Sequence, residues 1–267
     1  MRLSVLLSGL VLLVVCISNP LRAQQPSAST RATPRGLPRL PGRIPTGSDA
    51  GEFLTTTPHW SSSFNSITDS GLTAPSATYD PATNTMMVFA GRDWGREGSD
   101  VNFVLLNAPA NGSGNWTTLI ANGVAGSPAA REFHTGVYDS ANNRMIVFGG
   151  AIAPSFTYLN DVWVLSNANG QGGTASWTQL SPSGSPPAAR AYHTAVYDSA
   201  TNRMIVFGGG DLTQNFSDAW VLSNANGLGG TPVWTQLSPG GLLPKGVTAS
   251  SAVYDPANNI MTVFGGF

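Results

Sequence analysis

Short runs of alternating polar and apolar residues recur along this chain with a period of about 59 residues. Four nearly identical lines announce the repeats, and they start at Ala77, Gly136, Ala195 and Ala252. Each line holds an alternating run, a turn rich in Asp and Asn, and an apolar run that stops at glycine. Self-similarity at a fixed spacing is typical of repeat architectures, so the period predicts the fold before any single residue does.

Within the third copy the pattern predicts four short strands, at residues 193–197, 203–207, 218–222 and 234–237. Asp198 and Asn202 lie in the first turn, where their side chains can bond the local backbone. We therefore expect an all-β unit, one twisted antiparallel sheet of four strands. One such sheet cannot bury both of its own faces, so neighbouring copies must cover each other. Radial packing of the sheets predicts a β-propeller.

The repeated residues resemble those of the kelch family of propellers. The matching residues in the third copy are Arg190, His193, Tyr197, Asp198, Phe207, Gly208, Gly209, Asp218, Trp220 and Trp234. The second copy repeats them as Arg131, His134, Tyr138, Asp139, Phe148, Gly149, Gly150, Asp161, Trp163 and Trp177. The first and fourth copies depart from the pattern, with Pro75 and Ser250 in place of the histidine. The resemblance implies a kelch-type propeller of four-stranded antiparallel blades.

The chain divides into three predicted segments. Residues 1–23 are typical of a secretory signal peptide, with a retained anchor or a lipidated Cys16 as alternatives. Residues 24–58, rich in Pro, Arg, Ser and Thr, are predicted to be a disordered linker. Residues 59–267 form the propeller, with units near 76–119, 133–181, 192–237 and 249–267 and a lone strand at 60–64. We expect a secreted protein, either extracellular, periplasmic or at the cell surface, with no membrane span after signal removal.

About four blades are represented, and the last one is incomplete. We expect an incomplete propeller whose exposed strand edges favour oligomerisation or edge pairing. The alternative is an unusual closure of four blades. A truncated product without independent function is a further alternative.

Charge and cysteine content narrow the function classes. From His59 onward the chain has 7 Lys and Arg against 12 Asp and Glu, a net charge of −5, which argues against nucleic-acid binding. Cys16 is the only cysteine and would leave with the signal peptide. The galactose oxidase group shares the kelch-like propeller, but its copper chemistry needs a Tyr cross-linked to Cys. We therefore expect no cofactor, no metal and no catalytic residue, with a carbohydrate-active enzyme as the alternative.

Comparison of the copies separates two faces of the propeller. The turns after the first and third strands are nearly identical between copies, which indicates a backbone requirement rather than a ligand. The loops after the second strands differ in length, charge and aromatic content, and such loops usually carry recognition. We predict a binding face there, formed by Arg92, Trp94, Arg96, Phe156, Tyr158, Asp211 and Phe216, with Arg131 and Arg190 nearby.

Each candidate also has a structural interpretation. The variable loops can be drifted surface segments with some aromatic side chains packed down. Arg131 and Arg190 can instead bond carbonyls of an adjacent blade, and Asp161 and Asp218 can accept backbone N–H bonds. We expect a non-catalytic module that binds an extracellular protein or glycan through the loops of one face.

Overall fold

In the computed structural model of this chain, the described residues are 6–7, 10–15, 72–93, 98–105, 116–240 and 244–267. All the regular elements in these ranges are β-strands. The two N-terminal strands are β1 (Leu6–Leu7) and β2 (Leu10–Val15). Five strands form the first blade: β3 (Leu72–Thr73), β4 (Ser76–Asp80), β5 (Thr85–Asp93), β6 (Gly98–Leu105) and β7 (Trp116–Ile120).

The other blades follow in chain order. The second contains β8 (Thr135–Asp139), β9 (Arg144–Ile152), β10 (Thr157–Ser166) and β11 (Ser176–Gln179). The third contains β12 (Thr194–Asp198), β13 (Arg203–Phe207), β14 (Ala219–Ser223) and β15 (Val233–Leu237). The fourth contains β16 (Ser251–Asp255) and β17 (Ile260–Phe264). The predicted all-β kelch-type fold is confirmed, and the strands predicted in the third copy agree with β12–β15 to within about one residue at each end.

Antiparallel pairing joins consecutive strands in the second and third blades and along β4–β7 of the first blade. In the third blade the order is β12, β13, β14 and β15, and the second blade has the same meander order. Each hairpin between the first two strands turns at an Asn with positive φ: Asn84, Asn143, Asn202 and Asn259. Asn adopts this left-handed conformation more readily than most residues do, which explains its place in every copy.

The hydrophobic core lies between the blades rather than inside any one of them. Alternate residues of each second strand point to opposite neighbours, because successive side chains of a strand leave opposite faces of the sheet. Ile146 and Phe148 pack toward the third blade, whereas Met145 and Val147 pack toward the first. A third cluster fills the space between the third and fourth blades and includes Phe207. Each blade is therefore stabilised by its neighbours.

A polar contact also repeats between neighbouring blades, on the face that carries the turns after the first and third strands. The Asp80 carboxylate accepts hydrogen bonds from Tyr138 Oη (3.2 Å) and Asn169 Nδ2 (2.8 Å), both in the second blade. One blade further on, Asp139 accepts a bond from Asn226 Nδ2 (2.6 Å). We call this arrangement the Asp–Tyr–Asn contact. The near-identity of these turns therefore reflects a contact between blades, in addition to the backbone requirement that the sequence predicted.

The array of blades is open. The first strands of neighbouring blades lie side by side in the order β4, β8, β12 and β16, and among the described residues no strand of the fourth blade lies alongside the first blade. The expected partial propeller is confirmed, and the alternative of a closed ring of four blades is not the arrangement found. No helix in the described ranges is long and apolar enough to span a membrane.

The fourth blade is completed in an unexpected way. From the sequence, we expect this last blade to be incomplete. In the structure, β2 pairs with the free edge of β17 in parallel orientation, with Leu12 opposite Met261. In the second and third blades the same position is held by an antiparallel strand, β10 or β14. The lone strand predicted at 60–64 lies outside the described residues.

Candidate functional site

The segments leading into β8 and β12 and the loops after β9 and β13 meet on one face of the array, which we call the loop face. Their positions are fixed by two buried arginines. Arg190 is 0% exposed and binds Asp218 through two bonds, from Nη1 to Oδ1 (2.6 Å) and from Nη2 to Oδ2 (2.9 Å). Arg131 binds Asp161 in the same way, at 2.7 and 2.9 Å. Bidentate pairing of this kind fixes the direction of both side chains.

The same arginines also bond backbone carbonyls of their own blade, not of the adjacent one as the structural interpretation predicted. Arg190 donates to Gly208 (2.9 Å) and Ala188 (3.0 Å), and Trp220 Nε1 donates to Asp218 Oδ2 (2.6 Å). Burial alone would raise the pKa of Asp218, but the bonds from Arg190 and Trp220 outweigh it and hold the pKa below its usual value. Four of the five N–H donors of each arginine are used in these bonds, so Arg131 and Arg190 support the scaffold of the loop face. Whether they also contact a ligand stays a prediction.

The two strand-leading histidines join blades instead. His134 Nε2 lies 2.8 Å from Ser76 Oγ in the first blade, and His193 Nε2 lies 2.8 Å from Thr135 Oγ1 in the second. Burial lowers the pKa of His193 to about 3, and the charge of Arg190 adds to the effect. Both rings are therefore neutral at physiological pH and hold the blades together.

An aromatic residue in left-handed conformation stands next to each of these histidines. Phe133 and Tyr192 both have φ of 58°, a value that bulky side chains rarely adopt. The Tyr192 N–H donates to the Phe133 carbonyl (3.0 Å), and the Ala249 N–H donates to the Tyr192 carbonyl (2.8 Å). The rings of Phe133 and Tyr192 stack with centroids 4.0 Å apart. These backbone bonds run from blade to blade and over-determine the strained conformation, as is common at functional sites.

A pocket of about 300 Å³ opens beside Tyr192 on the loop face. Its wall comes from three blades, and its lining residues are Tyr158, Tyr192, Gly210, Asp211, Asn215, Thr248 and Phe267. The lining combines aromatic rings with one carboxylate and one amide. A concave surface of mostly apolar lining with a few polar groups is the usual form of a ligand site.

Asp211 supplies negative charge to this pocket. Its Oδ1 accepts bonds from the hydroxyl and the backbone N–H of Thr213, both at 2.7 Å, and from the N–H of Gln214 at 3.0 Å. The bonds from Thr213 lower the pKa of Asp211, so the group is ionised at neutral pH. Burial raises the pKa of Tyr158, and the charge of Asp211 adds to that rise. The phenols are thus neutral hydrogen-bond donors beside a fixed carboxylate.

A second acid lies close to the pocket. Glu132 is 2% exposed, and its Oε2 is 3.4 Å from Arg92 Nε, while its Oε1 has no hydrogen-bond partner among the described residues. Burial raises the pKa of Glu132 in spite of the charge on Arg92. The Arg92 guanidinium also lies 5.8 Å from the centre of the Phe156 ring. Arg92 and Phe156 therefore contribute to one charged and aromatic rim.

The structure brings together only part of the predicted binding face. Tyr158 and Asp211 line the pocket, and Arg92 and Phe156 contact each other near Glu132. Phe216 packs against a buried arginine, since the Arg190 guanidinium lies 4.2 Å from the centre of its ring. Trp94 and Arg96 lie outside the described residues. Whether any of these residues contacts a ligand stays a prediction.

Sequence reasoning missed several residues of the pocket, above all Tyr192. This residue falls between the repeated Arg190 and His193, and it is not among the binding residues that the sequence predicted. A position-by-position comparison of the copies would have shown it to vary, as Phe133 in the second copy and Ala249 in the fourth. Within the described ranges no three His, Cys, Asp or Glu side chains form a cluster that could hold a metal ion.

Comparison with known proteins agrees with this architecture. A sequence model of the KLHDC2/KLHL20/DRC7 Kelch-repeats domain matches residues 81–267. Human multiple epidermal growth factor-like domains protein 8 is 28% identical over 185 residues, which cover 68% of this chain and 6% of that protein. Rat host cell factor 1 is 32% identical over 111 residues, 40% of this chain and 5% of that protein. The chain thus corresponds to a small part of these relatives. This family match, together with the repeats and blades described above, shows that the chain belongs to the kelch-repeat family.

Proposed function

We propose that this chain is a non-catalytic binding module that holds an extracellular protein through its loop face. Kelch-repeat domains are protein-binding modules in general, which supports a protein-binding role for this chain. The proposal that the loop face is the binding surface rests on the pocket between Tyr158, Tyr192 and Asp211. It lies on the face where loops vary over a fixed frame, and variable loops on rigid scaffolds commonly carry recognition.

The chemistry of the pocket favours a basic side chain of the partner. Asp211 is ionised, and residues 59–267 carry a net charge of −5. A Lys or Arg side chain can lay its cationic group against the Tyr158 and Tyr192 rings while it pairs with Asp211. We therefore propose a partner that presents a Lys or Arg on an exposed, extended segment.

Peptide arrays provide the test. An array of fluorescent peptides that vary one central residue is probed with the purified chain, and peptides with central Lys or Arg are expected to bind best. Asp211→Asn should weaken binding about fivefold, because exposed ion pairs contribute up to about 1 kcal/mol. Leu212→Asn is the matched control, since Leu212 is the next residue of the same loop and does not line the pocket. Equal binding of peptides with central Lys and Glu would contradict the proposal.

A glycan partner is the second candidate, favoured by the pairing of aromatic rings with Asp211 and Asn215 in a shallow pocket. Sugar rings stack on aromatic side chains, and their hydroxyls bond carboxylates and amides. Binding on a glycan array that Asp211→Asn abolishes, with no binding on the peptide array, would replace the first proposal with this one. Release of a cleaved sugar product would instead favour the carbohydrate-active enzyme.

Location outside the cytoplasm rests on the predicted signal peptide at residues 1–23. The proposal expects that the exported chain begins near Gln24, which N-terminal sequencing of the secreted product would show. Removal of residues 1–23 would take β1 and β2 away, so the pairing of β2 with β17 belongs to the full-length chain. Replacing Leu12 and Leu13 with Arg should block export, because an apolar stretch is required for signal recognition. Retention of residues 1–23 on a membrane-bound product would support the anchor alternative.

A further inference from the structure

The two ends of the blade array present opposite halves of the same interface. We define the head face as Ala77, Tyr79 and Met86 on the outer side of the first blade, and the tail face as Val253, Asp255, Thr262 and Phe264 on the outer side of the fourth. At each internal interface, the counterparts of the tail residues pack against the counterparts of the head residues. The chain therefore displays both partners of an interface that it uses three times internally.

The tail face is open and apolar. Val253 is 68% exposed and Phe264 is 61% exposed. Their counterparts in the third blade, Val196 and Phe207, are 8% and 1% exposed, because the fourth blade covers them. Burying such side chains stabilises each internal interface, so a face left open retains the same attraction for a matching surface.

Among the described residues, no blade covers the head face. Tyr79 is 52% exposed, whereas its counterpart Tyr138 is partly buried and donates to Asp80 of the neighbouring blade. The Tyr79 hydroxyl bonds Asn84 of its own turn, and no carboxylate of the described residues takes the place that Asp80 has for Tyr138. The head face thus carries the Tyr of an Asp–Tyr–Asn contact without the Asp.

The tail face carries the missing acceptor. Asp255 is the counterpart of Asp80 and Asp139, yet the hydrogen bonds it accepts in the described ranges come from its own turn, from Ala257 and Asn258. The backbone shows the same pattern. Gly91, Gly150 and Gly209 each donate an N–H bond to a carbonyl of the following blade, and their counterpart Gly266 makes no such bond to a described residue.

We propose that the tail face of one copy of this chain binds the head face of a second copy. Tyr79 of one copy then donates to Asp255 of the other, and Val253 and Phe264 become covered. The contact is heterologous, because two different surfaces meet, and such contacts give either closed rings or open chains of subunits. The internal interfaces set the orientation of the docked copy, which continues the blade array in the same direction.

Two blocked variants test this arrangement. Tyr79→Asp places a negative charge opposite Asp255 and blocks only the head face, whereas Phe264→Asp blocks only the tail face. In sedimentation velocity over a range of concentrations, the unaltered full-length chain should self-associate, and each variant alone should weaken association about 30-fold or more. A mixture of the two variants should form a one-to-one dimer, because each supplies the face that the other lacks. Circular dichroism spectra and thermal melts verify that both variants fold.

Leu212→Asp is the matched control, because it removes a side chain that is 77% exposed but lies on neither end face. It should associate as the unaltered chain does. Three outcomes would overturn the proposal. These are a monomer at every concentration, association that Tyr79→Asp leaves intact, and a mixture of the two variants that stays monomeric. A tail-to-tail dimer gives the second of these results, because it does not use the head face.

Discussion

At the scale of single residues, buried charge pairs determine how the loop face is held. Arg190 is fully buried, and its partner Asp218 lies 28 positions away in the sequence. The sequence showed both residues at repeated positions but not that they pair. The expected partners were carbonyls of a neighbouring blade for the arginine and backbone N–H groups for the aspartate. The pairing of Arg190 with Asp218 could not be derived from their spacing in the sequence. Backbone groups near each side chain offered the arginine other acceptors and the aspartate other donors.

Replacing Arg190 with Met should lower the free energy of unfolding by about 3 kcal/mol, since it leaves the Asp218 carboxylate and the Gly208 carbonyl without their donor. Urea denaturation monitored by tryptophan fluorescence measures the change. Lys245→Met, which removes an exposed cation, should shift stability by less than about 0.5 kcal/mol. Equal losses in the two variants would show that the buried pair is not what stabilises the segment.

At the scale of strands and turns, the sequence predicted the elements well and their partners poorly. Alternation and turn residues placed β12–β15 to within about a residue. The hydrogen bond from Asn169 to Asp80 spans 89 positions and was not foreseen. Each blade has a similar copy before it and after it in the chain. The sequence pattern alone therefore does not say which neighbour donates the hydrogen bond and which accepts it. Of the pocket residues, the sequence predicted Tyr158 and Asp211, which lie in variable loops, but not Tyr192, which lies between two repeated residues.

The Asp–Tyr–Asn contact can be measured with a pair of matched variants. Tyr138→Phe removes a hydroxyl that bonds Asp80 across the interface and Asn143 within the turn. Tyr79→Phe removes the equivalent bond to Asn84 only. The difference between the two losses of unfolding free energy therefore isolates the bond across the interface, and we expect about 1 kcal/mol. Urea denaturation of both variants, at a concentration where the chain is monomeric, gives the value. A difference near zero would mean that packing alone holds the blades in register.

At the scale of the whole molecule, the open array is stabilised where neighbouring blades meet, and the buried histidines lie at those interfaces. Folded His193 has a pKa of about 3, whereas an unfolded histidine titrates near pH 6.5. The unfolded chain therefore binds a proton that the folded chain rejects. The contribution of neutral His193 to the free energy of unfolding is fully present above about pH 6.5 and is lost as the pH falls toward 3.

Between pH 7 and pH 5 this difference should cost about 2 kcal/mol of unfolding free energy at His193 alone. In spite of burial, hydrogen bonds lower the pKa values of Asp80, Asp161, Asp198 and Asp218, so these carboxylates titrate mainly below pH 5. Glu132 is the exception, because burial raises its pKa. His193→Gln keeps a hydrogen-bonding group near Thr135 and should reduce the loss over this range by about that amount. Urea denaturation at the two pH values measures both chains. An unchanged loss in the variant would place the acid sensitivity elsewhere.

The left-handed position before each first strand has a consequence for how such a protein can change its specificity. Ala74, Phe133, Tyr192 and Ala249 all adopt φ near 55°, although their side chains range from a methyl group to a phenol. The backbone at this position is held by main-chain bonds, so the side chain is free to vary without altering the frame. Exchanging these four residues would therefore change the side chains that the loop face presents, while the underlying array of sheets stays as it is.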